Sequence, residues 1–307
     1  MGIGQEWGLV RRTIGAWLDD YAPSMGAALA YYTIFSIAPL LLIVIAVTGW
    51  FFGAEAARGE ILAQLEGLMG RDGAMMIEGL IKSANDPAKS AWATATGVVL
   101  LLIGATTVFG ELQDALDRIW RAPVKVNSGG IFKLVQTRLL AFGMIFGISF
   151  LLMVSLIVSA GLSALGKWWA PLFAGWEVVA QLVNFFASFA LITALFALIY
   201  KFMPRVRVAW RDVWFGAAFT SLLFTIGKLL IGLYIGKSGV ASVFGAAGSL
   251  VVLLLWVYYS AQIFLLGAEY TWVYAHELGS RKNSVEPLAA DDQPSRSTNH
   301  DQSRPIA

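Results

Sequence analysis

The 307-residue sequence contains no cysteine. That excludes disulfide frameworks, thiolate metal sites and cysteine nucleophiles. Histidine is nearly as scarce: His276 and His300 are the two present, both in or beside a polar C-terminal stretch. A histidine-based catalytic or metal centre inside the fold is therefore not expected. Charge is short as well. Asp, Glu, Lys and Arg make up 14% of the chain, where about 25% is usual in soluble proteins. A net charge of +2 offers no basic surplus for binding nucleic acid. What is abundant is apolar: 58% of residues, arranged in long uncharged runs. The composition describes a polytopic membrane protein, with no cofactor or metal expected.

Residues 21–54, 90–110, 139–166, 178–200 and 238–268 carry no Asp, Glu, Lys or Arg, and 213–236 carries only Lys228. Each run meets the need for about 20 apolar residues to cross a hydrocarbon core. Lipid offers no hydrogen-bond partner to a backbone, so these runs must be helical. The expectation is an all-α protein with six transmembrane helices, at about 27–52, 91–110, 139–165, 178–200, 213–235 and 242–268. These fall within a membrane domain spanning 25–275. Connections on the side of the N-terminus hold fifteen Lys and Arg, against six on the other side. The positive-inside rule then places both termini in the cytoplasm.

Residues 1–24 read as an interfacial amphipathic helix, with Trp7, Val10, Ile14, Trp17, Leu18 and Tyr21 on one stripe. The extracytoplasmic loop 53–90 reads as two short helices broken at Gly70, Asp72 and Gly73. Residues 111–121 form a cytoplasmic helix ended by Pro123. On it, Asp114 and Asp117 precede Arg118 and Arg121 by four residues, the spacing of ordinary surface pairs. Lys201, Arg205, Arg207 and Arg211, flanked by Trp210 and Trp214, form a cytoplasmic basic belt suited to anionic lipid headgroups. The polar segment 276–307 is expected to be a disordered cytoplasmic tail.

Ionisable groups at membrane depth are the default functional candidates. Lys228 and Glu177 both fall roughly 10–15 Å inside the outer boundary, counted at 1.5 Å per helical residue. Either they pair, or Lys228 snorkels outward and Glu177 starts its helix at the interface. Glu269 belongs near the cytoplasmic mouth. With Tyr258 and Gln262 it forms one face of the last helix, which either lines a path or joins helices together. Pro39 must kink or break the first span, because it removes a helix hydrogen bond.

Several segments together resemble the YihY/virulence factor BrkB family of bacterial inner-membrane proteins. They are residues 28–41 (ALAYYTIFSIAPLL), 112–120 (LQDALDRIW), 200–212 (YKFMPRVRVAWRD), 227–235 (GKLLIGLYI) and 245–270 (GAAGSLVVLLLWVYYSAQIFLLGAEY). The resemblance implies six membrane helices with cytoplasmic ends. It also carries a former label, ribonuclease BN, alongside virulence-related and transport-like descriptions. By the same match Pro39, Asp114, Arg205, Lys228 and Glu269 are the positions to test first.

Transport or translocation of a lipid, or of another amphiphilic or anionic substrate, is the function expected in the inner membrane. A non-catalytic scaffold for envelope assembly is the alternative. Membrane lipids and envelope proteins are the expected partners, and nucleic acid is not one. RNA hydrolysis needs general acid/base groups or a metal cage. Here the cytoplasmic carboxylates have arginine neighbours and the histidines are distal, so no enzymatic activity is expected.

Overall fold

A computed structural model describes residues 3–84, 107–123, 143–144, 146–158, 160–161, 164, 176–238 and 248–282. Among them there is no strand. The helices are α1 (Ile3–Asp19), α2 (Ala22–Phe52), α3 (Ala54–Ala84), α4 (residues 107–119), α5 (Phe146–Val158), α6 (Trp176–Phe202), α7 (Trp210–Ser238) and α8 (Gly248–Glu277). All-helical architecture follows from the composition, since a backbone in lipid must satisfy its own hydrogen bonds.

Among the described residues, three helices are long and apolar enough to cross a bilayer: Val178–Phe202, Trp210–Tyr234 and Leu250–Glu277. A fourth is α2, whose parts Ala22–Ala38 and Leu40–Phe51 meet at an angle of 46°. The bend falls at Pro39, where the missing N–H was expected to break the ladder. The expected span 91–110 lies largely outside the described residues, and about a third of 139–165 does. Their described parts are 107–110 and α5 with the few residues around it. Residues 239–247 and 283–307, which include the glycine-rich approach to α8 and most of the expected tail, also lie outside.

One expectation is corrected. Residues 54–84 form a single helix rather than two short ones. Glycine costs about 1 kcal/mol relative to alanine inside a helix. Burying an isoleucine side chain gains about 1.5–3 kcal/mol. A continuous α3 keeps Ile61, Ile77 and Ile81 buried together in the core, which outweighs its glycines. Gly53 makes the hairpin from α2 to α3 possible. Its φ of 88° is one that side-chain-bearing residues avoid, and its N–H donates to Gly49 O.

The helices converge at one end of the bundle, called here the polar end. α2 and α7 start there, α4, α6 and α8 finish there, and α1 lies against it. Small residues set the closeness of α7 to α8. A Cβ on Gly216 would overlap Thr271, and one on Gly267 would overlap Thr220 and the Tyr200 hydroxyl. Each threonine donates to the carbonyl of the glycine four residues before it: Thr220 to Gly216 and Thr271 to Gly267, both at 2.7 Å. Tyr200 then ties in α6, lying 3.0 Å from Thr220 Oγ1 and donating to Phe264 O at 2.7 Å. Gly232, whose spacing from Gly236 suggests a packing pair, faces open space instead. The seam uses Gly216 and Gly267, nearer the polar end.

Candidate functional site

The polar end is built from short-range geometry that the apolar patterning does not supply. α1 stops at Asp19, and the chain turns into α2 through Tyr21, which takes left-handed backbone angles (φ 56°, ψ 36°). Arg121 does the same at the end of α4, with φ 48°. These are the two non-glycine residues with positive φ among those described. Each costs about 1–2 kcal/mol relative to right-handed geometry. Both are held by cation–aromatic stacking: Arg118 sits 5.6 Å over the Tyr21 ring, and Arg121 sits 4.5 Å over Trp272. Strain of this kind concentrates where the fold serves function.

Ion pairs and hydrogen bonds then join distant segments. Arg12 of α1 forms a two-pronged pair with Glu277 at the end of α8, its Nη2 2.7 Å from Oε2. Asp117 of α4 accepts the backbone N–H of Arg205 at 2.7 Å and pairs with its guanidinium at 2.8 Å. Gln113 donates to Met203 O. Asp212, fully buried at the start of α7, accepts from the Ser280 N–H and hydroxyl. The expected pairing of Asp114 and Asp117 with Arg118 and Arg121 is therefore replaced. Both carboxylates turn to Arg205, Asp114 more loosely at 3.4 Å, while the two arginines stack on aromatic rings. Helical spacing permits the local pairs, but a backbone N–H plus a guanidinium is the better match for a nearly buried carboxylate. On the same helix, burial and the nearby charge of Asp114 push the Glu111 carboxyl above its ordinary value.

The basic belt divides. Lys201 donates to Val208 O and lies 5.3 Å over the Trp210 ring, and Arg205 is taken up by α4. Arg207 and Arg211 are exposed and remain available to a headgroup layer.

Glu269 sits where the helical count places it, near this end of α8, and only 1% of it is exposed. Both carboxylate oxygens are sealed from solvent and receive no N–H or hydroxyl donor, and the Asp20 carboxyl lies within hydrogen-bond reach of them. The charges acting on it are the carboxylates of Asp20 and Asp19 and the guanidinium of Arg121. Gln262, two turns earlier, reaches Pro23 O at 3.4 Å and lies against Gly26 of α2, with its Oε1 also buried and unpartnered. Tyr258 packs against the hydrophobic core. Gln262 and Glu269 thus meet the α1–α2 elbow. The indole N–H groups of Trp17 and Trp120 are buried without partners at this same end. Such groups cost roughly 1–3 kcal/mol each when left unsatisfied.

Lys228 is half-buried on α7, about 27 Å along the helix from Trp210. Among the described residues it makes no ion pair. The Glu177 side chain lies outside the described ones, so the expected Glu177–Lys228 pair does too. No arrangement brings Lys228 to Glu269.

Along α1 lies an open groove of about 590 Å³, lined by Gly8, Arg11, Arg12, Gly15, Ala16, Asp19 and Arg121. Asp19 and Arg121 belong both to this groove and to the surroundings of Glu269. Sequence reasoning missed this site. Arg12 and Glu277 are 265 residues apart, and no local pattern joins them. A second unforeseen cluster joins α3 to α5: Ser155 donates to Glu60 at 2.8 Å, and Gln64 bonds to both.

The virulence factor BrkB family model matches residues 13–292. A UPF0761 membrane protein of Psychrobacter sp. (strain PRwf-1) is 28% identical over 267 residues, covering 86% of this chain and 47% of the relative. One from Pseudomonas aeruginosa (strain LESB58) is 29% identical over 260 residues, covering 82% and 59%. A third, from Tolumonas auensis, is 26% identical over 277 residues and covers 86% and 85%. The chain thus spans about half the length of the first two. No solved structure matches.

Proposed function

We propose that this chain, which belongs to the virulence factor BrkB family, moves an anionic amphiphile through the bacterial inner membrane by way of its polar end. The observation that carries this reading is an arginine-lined groove that shares Asp19 and Arg121 with the surroundings of a buried Glu269 carboxyl, whose hydrogen-bond partner is another carboxyl, Asp20. A purely structural end of a bundle has no use for two carboxyl groups facing each other next to two strained turns. A path for a charged group does, because polar atoms there exchange partners as the cargo passes. Asp114 and Asp117 are engaged by Arg205, which supports a structural role for them rather than the acid/base role that ribonuclease chemistry would ask of them.

The test is flux of a fluorescent anionic phospholipid in vesicles reconstituted with the full chain. Glu269→Gln keeps the shape and removes the ionisable group, and it is expected to slow flux at least tenfold while insertion and thermal stability hold. Lys228→Ala probes the second intramembrane charge in the same assay, with a smaller expected loss. Wild-type flux in Glu269→Gln overturns the reading. Stoichiometric capture of an envelope protein, without flux in the wild type, favours the scaffold instead.

A further inference from the structure

The groove along α1 has features that the fold itself does not require. At about 100° per residue, α1 presents three faces. Leu9, Thr13 and Trp17 turn toward the bundle, the first two buried and the third packed on the core. Trp7, Ile14, Leu18 and Tyr21 form a stripe that stays exposed, Trp7 at 72%. Between these faces lie Gly8, Arg12, Gly15 and Asp19, which line the groove, with Arg11 on its border with the apolar stripe.

The glycines are the clue. Each weakens the helix by roughly 1 kcal/mol relative to alanine. Gly216 and Gly267 are explained by a neighbour pressed against them, whereas Gly59, Gly79 and Gly232 stand, like those of α1, in open space. Gly15 has nothing within 4 Å, and a Cβ on Gly8 would meet only the end of the Arg12 side chain at 3.5 Å. Among the described residues no contact calls for their smallness, and on α1 the two fall on the same face as Arg12 and Asp19. Their effect is to leave a smooth floor between guanidinium groups.

Those groups are placed in advance. Arg12 is held by Glu277 and Arg121 by Trp272, while Arg11 is exposed and free to close over an occupant. With Arg12 neutralised by Glu277, Arg11 and Arg121 outnumber Asp19 by one positive charge on the lining, which Asp20 and Glu269 do not join. Guanidinium forks match phosphate oxygens in geometry. A singly charged phosphodiester fits the charge, and a hydroxyl on its headgroup suits Asp19. The adjoining stripe of Trp7, Ile14, Leu18 and Tyr21 gives acyl chains an apolar surface beside the phosphate.

We infer that this groove is a binding site for the headgroup of a glycerol-bearing anionic phospholipid of the phosphatidylglycerol type, with its chains along the exposed stripe of α1. The inference deepens the proposed function by naming its substrate class. It rests on that reading only for the step from binding to movement.

The experiment measures binding of dihexanoyl phosphatidylglycerol, dihexanoyl phosphatidylcholine and inorganic phosphate to the full-length protein in detergent, by native mass spectrometry. The expected result is a preference of at least tenfold for phosphatidylglycerol over phosphatidylcholine. Arg11→Gln, at a side chain the fold does not use, is expected to weaken that binding roughly fivefold, the size of one basic group at a lipid surface. Gly15→Leu, which fills open space, is expected to abolish binding with thermal stability unchanged or raised. Ile14→Ser is expected to weaken lipid binding and leave inorganic phosphate unaffected. Equal binding of the two lipids, or wild-type affinity in Gly15→Leu, overturns the site. Inorganic phosphate competing as well as the lipid overturns the lipid as its occupant. Gly15→Leu that loses binding but keeps wild-type flux upholds the site and separates it from the transport reading.

Discussion

The two halves of α6 behave as if they belonged to different proteins. Its first turns expose Val178, Val179, Leu182, Val183, Phe185 and Phe186, whereas its last turns bury Phe196, Ala197 and Tyr200 completely or nearly so. α7 repeats the contrast in reverse order. Val213, Ala217, Thr220 and Ser221 are buried, and Leu229, Leu230, Leu233 and Tyr234 are exposed. Hydropathy is high throughout both helices, so it does not produce the difference. What changes along them is whether small and polar residues meet a neighbour: Gly216, Tyr200 and Thr220 do, whereas Gln181, Asn184 and Gly232 are exposed. Lipid is as apolar as leucine, and so an all-apolar stretch gains little by leaving it for another helix. Association needs either close approach over glycine or a hydrogen bond that lipid cannot offer. Both are supplied at the polar end.

That contrast can be broken most severely at the seam. Gly267→Leu pushes a side chain into Thr220 and Tyr200 and is expected to cost about 3 kcal/mol, near the upper end for overpacking. Gly232→Leu, in open space on the same pair of helices, is expected to stay within about 0.5 kcal/mol. Thermal unfolding in detergent measures both, and equal effects would erase the distinction. Next comes Asp117→Ala. It leaves the Arg205 backbone N–H without its acceptor and the guanidinium with only its longer contacts to Asp114 and Gln113, for about 1–3 kcal/mol. Asp114→Ala, on the same arginine but exposed, is expected to cost below about 0.5 kcal/mol.

The smallest effect is on proton binding. Burial first, and Asp114 second, hold the Glu111 carboxyl above its unfolded value. The folded state therefore binds the proton more tightly. Whatever stability this lends is complete below the unfolded value and is lost as pH rises through the folded one. Asp114→Asn removes the charge but not the burial. Carboxyl NMR should show the Glu111 titration moving partway down, and a full return to the ordinary value would assign the shift to charge alone.

How far the sequence reaches follows the same division. Uncharged runs announced α2, α6, α7 and α8, and Pro39 announced the bend, because these depend on local composition. The depth of Glu269 came from counting residues along one helix. Helical spacing misled where a stronger partner came from elsewhere: Asp117 chose the Arg205 backbone over its own i+4 arginine. It misled again in α3, where burial of Ile61, Ile77 and Ile81 overrode the glycines. The groove was out of reach altogether. It needs α1, the end of α4 and the end of α8 in one place, and each contributes charges that look like ordinary surface residues when read alone.

The account depends most on the two ends of the bundle facing opposite sides of one bilayer, with the polar end in the cytoplasm. The absence of native cysteine makes this directly measurable. Trp50→Cys and Lys282→Cys, both at exposed positions, one near the end of α2 and one past α8, can be labelled in intact cells with a membrane-impermeant maleimide. The account predicts that position 50 reacts at once and position 282 only after the membrane is opened. Labelling of both from outside, or of position 282 alone, would contradict it.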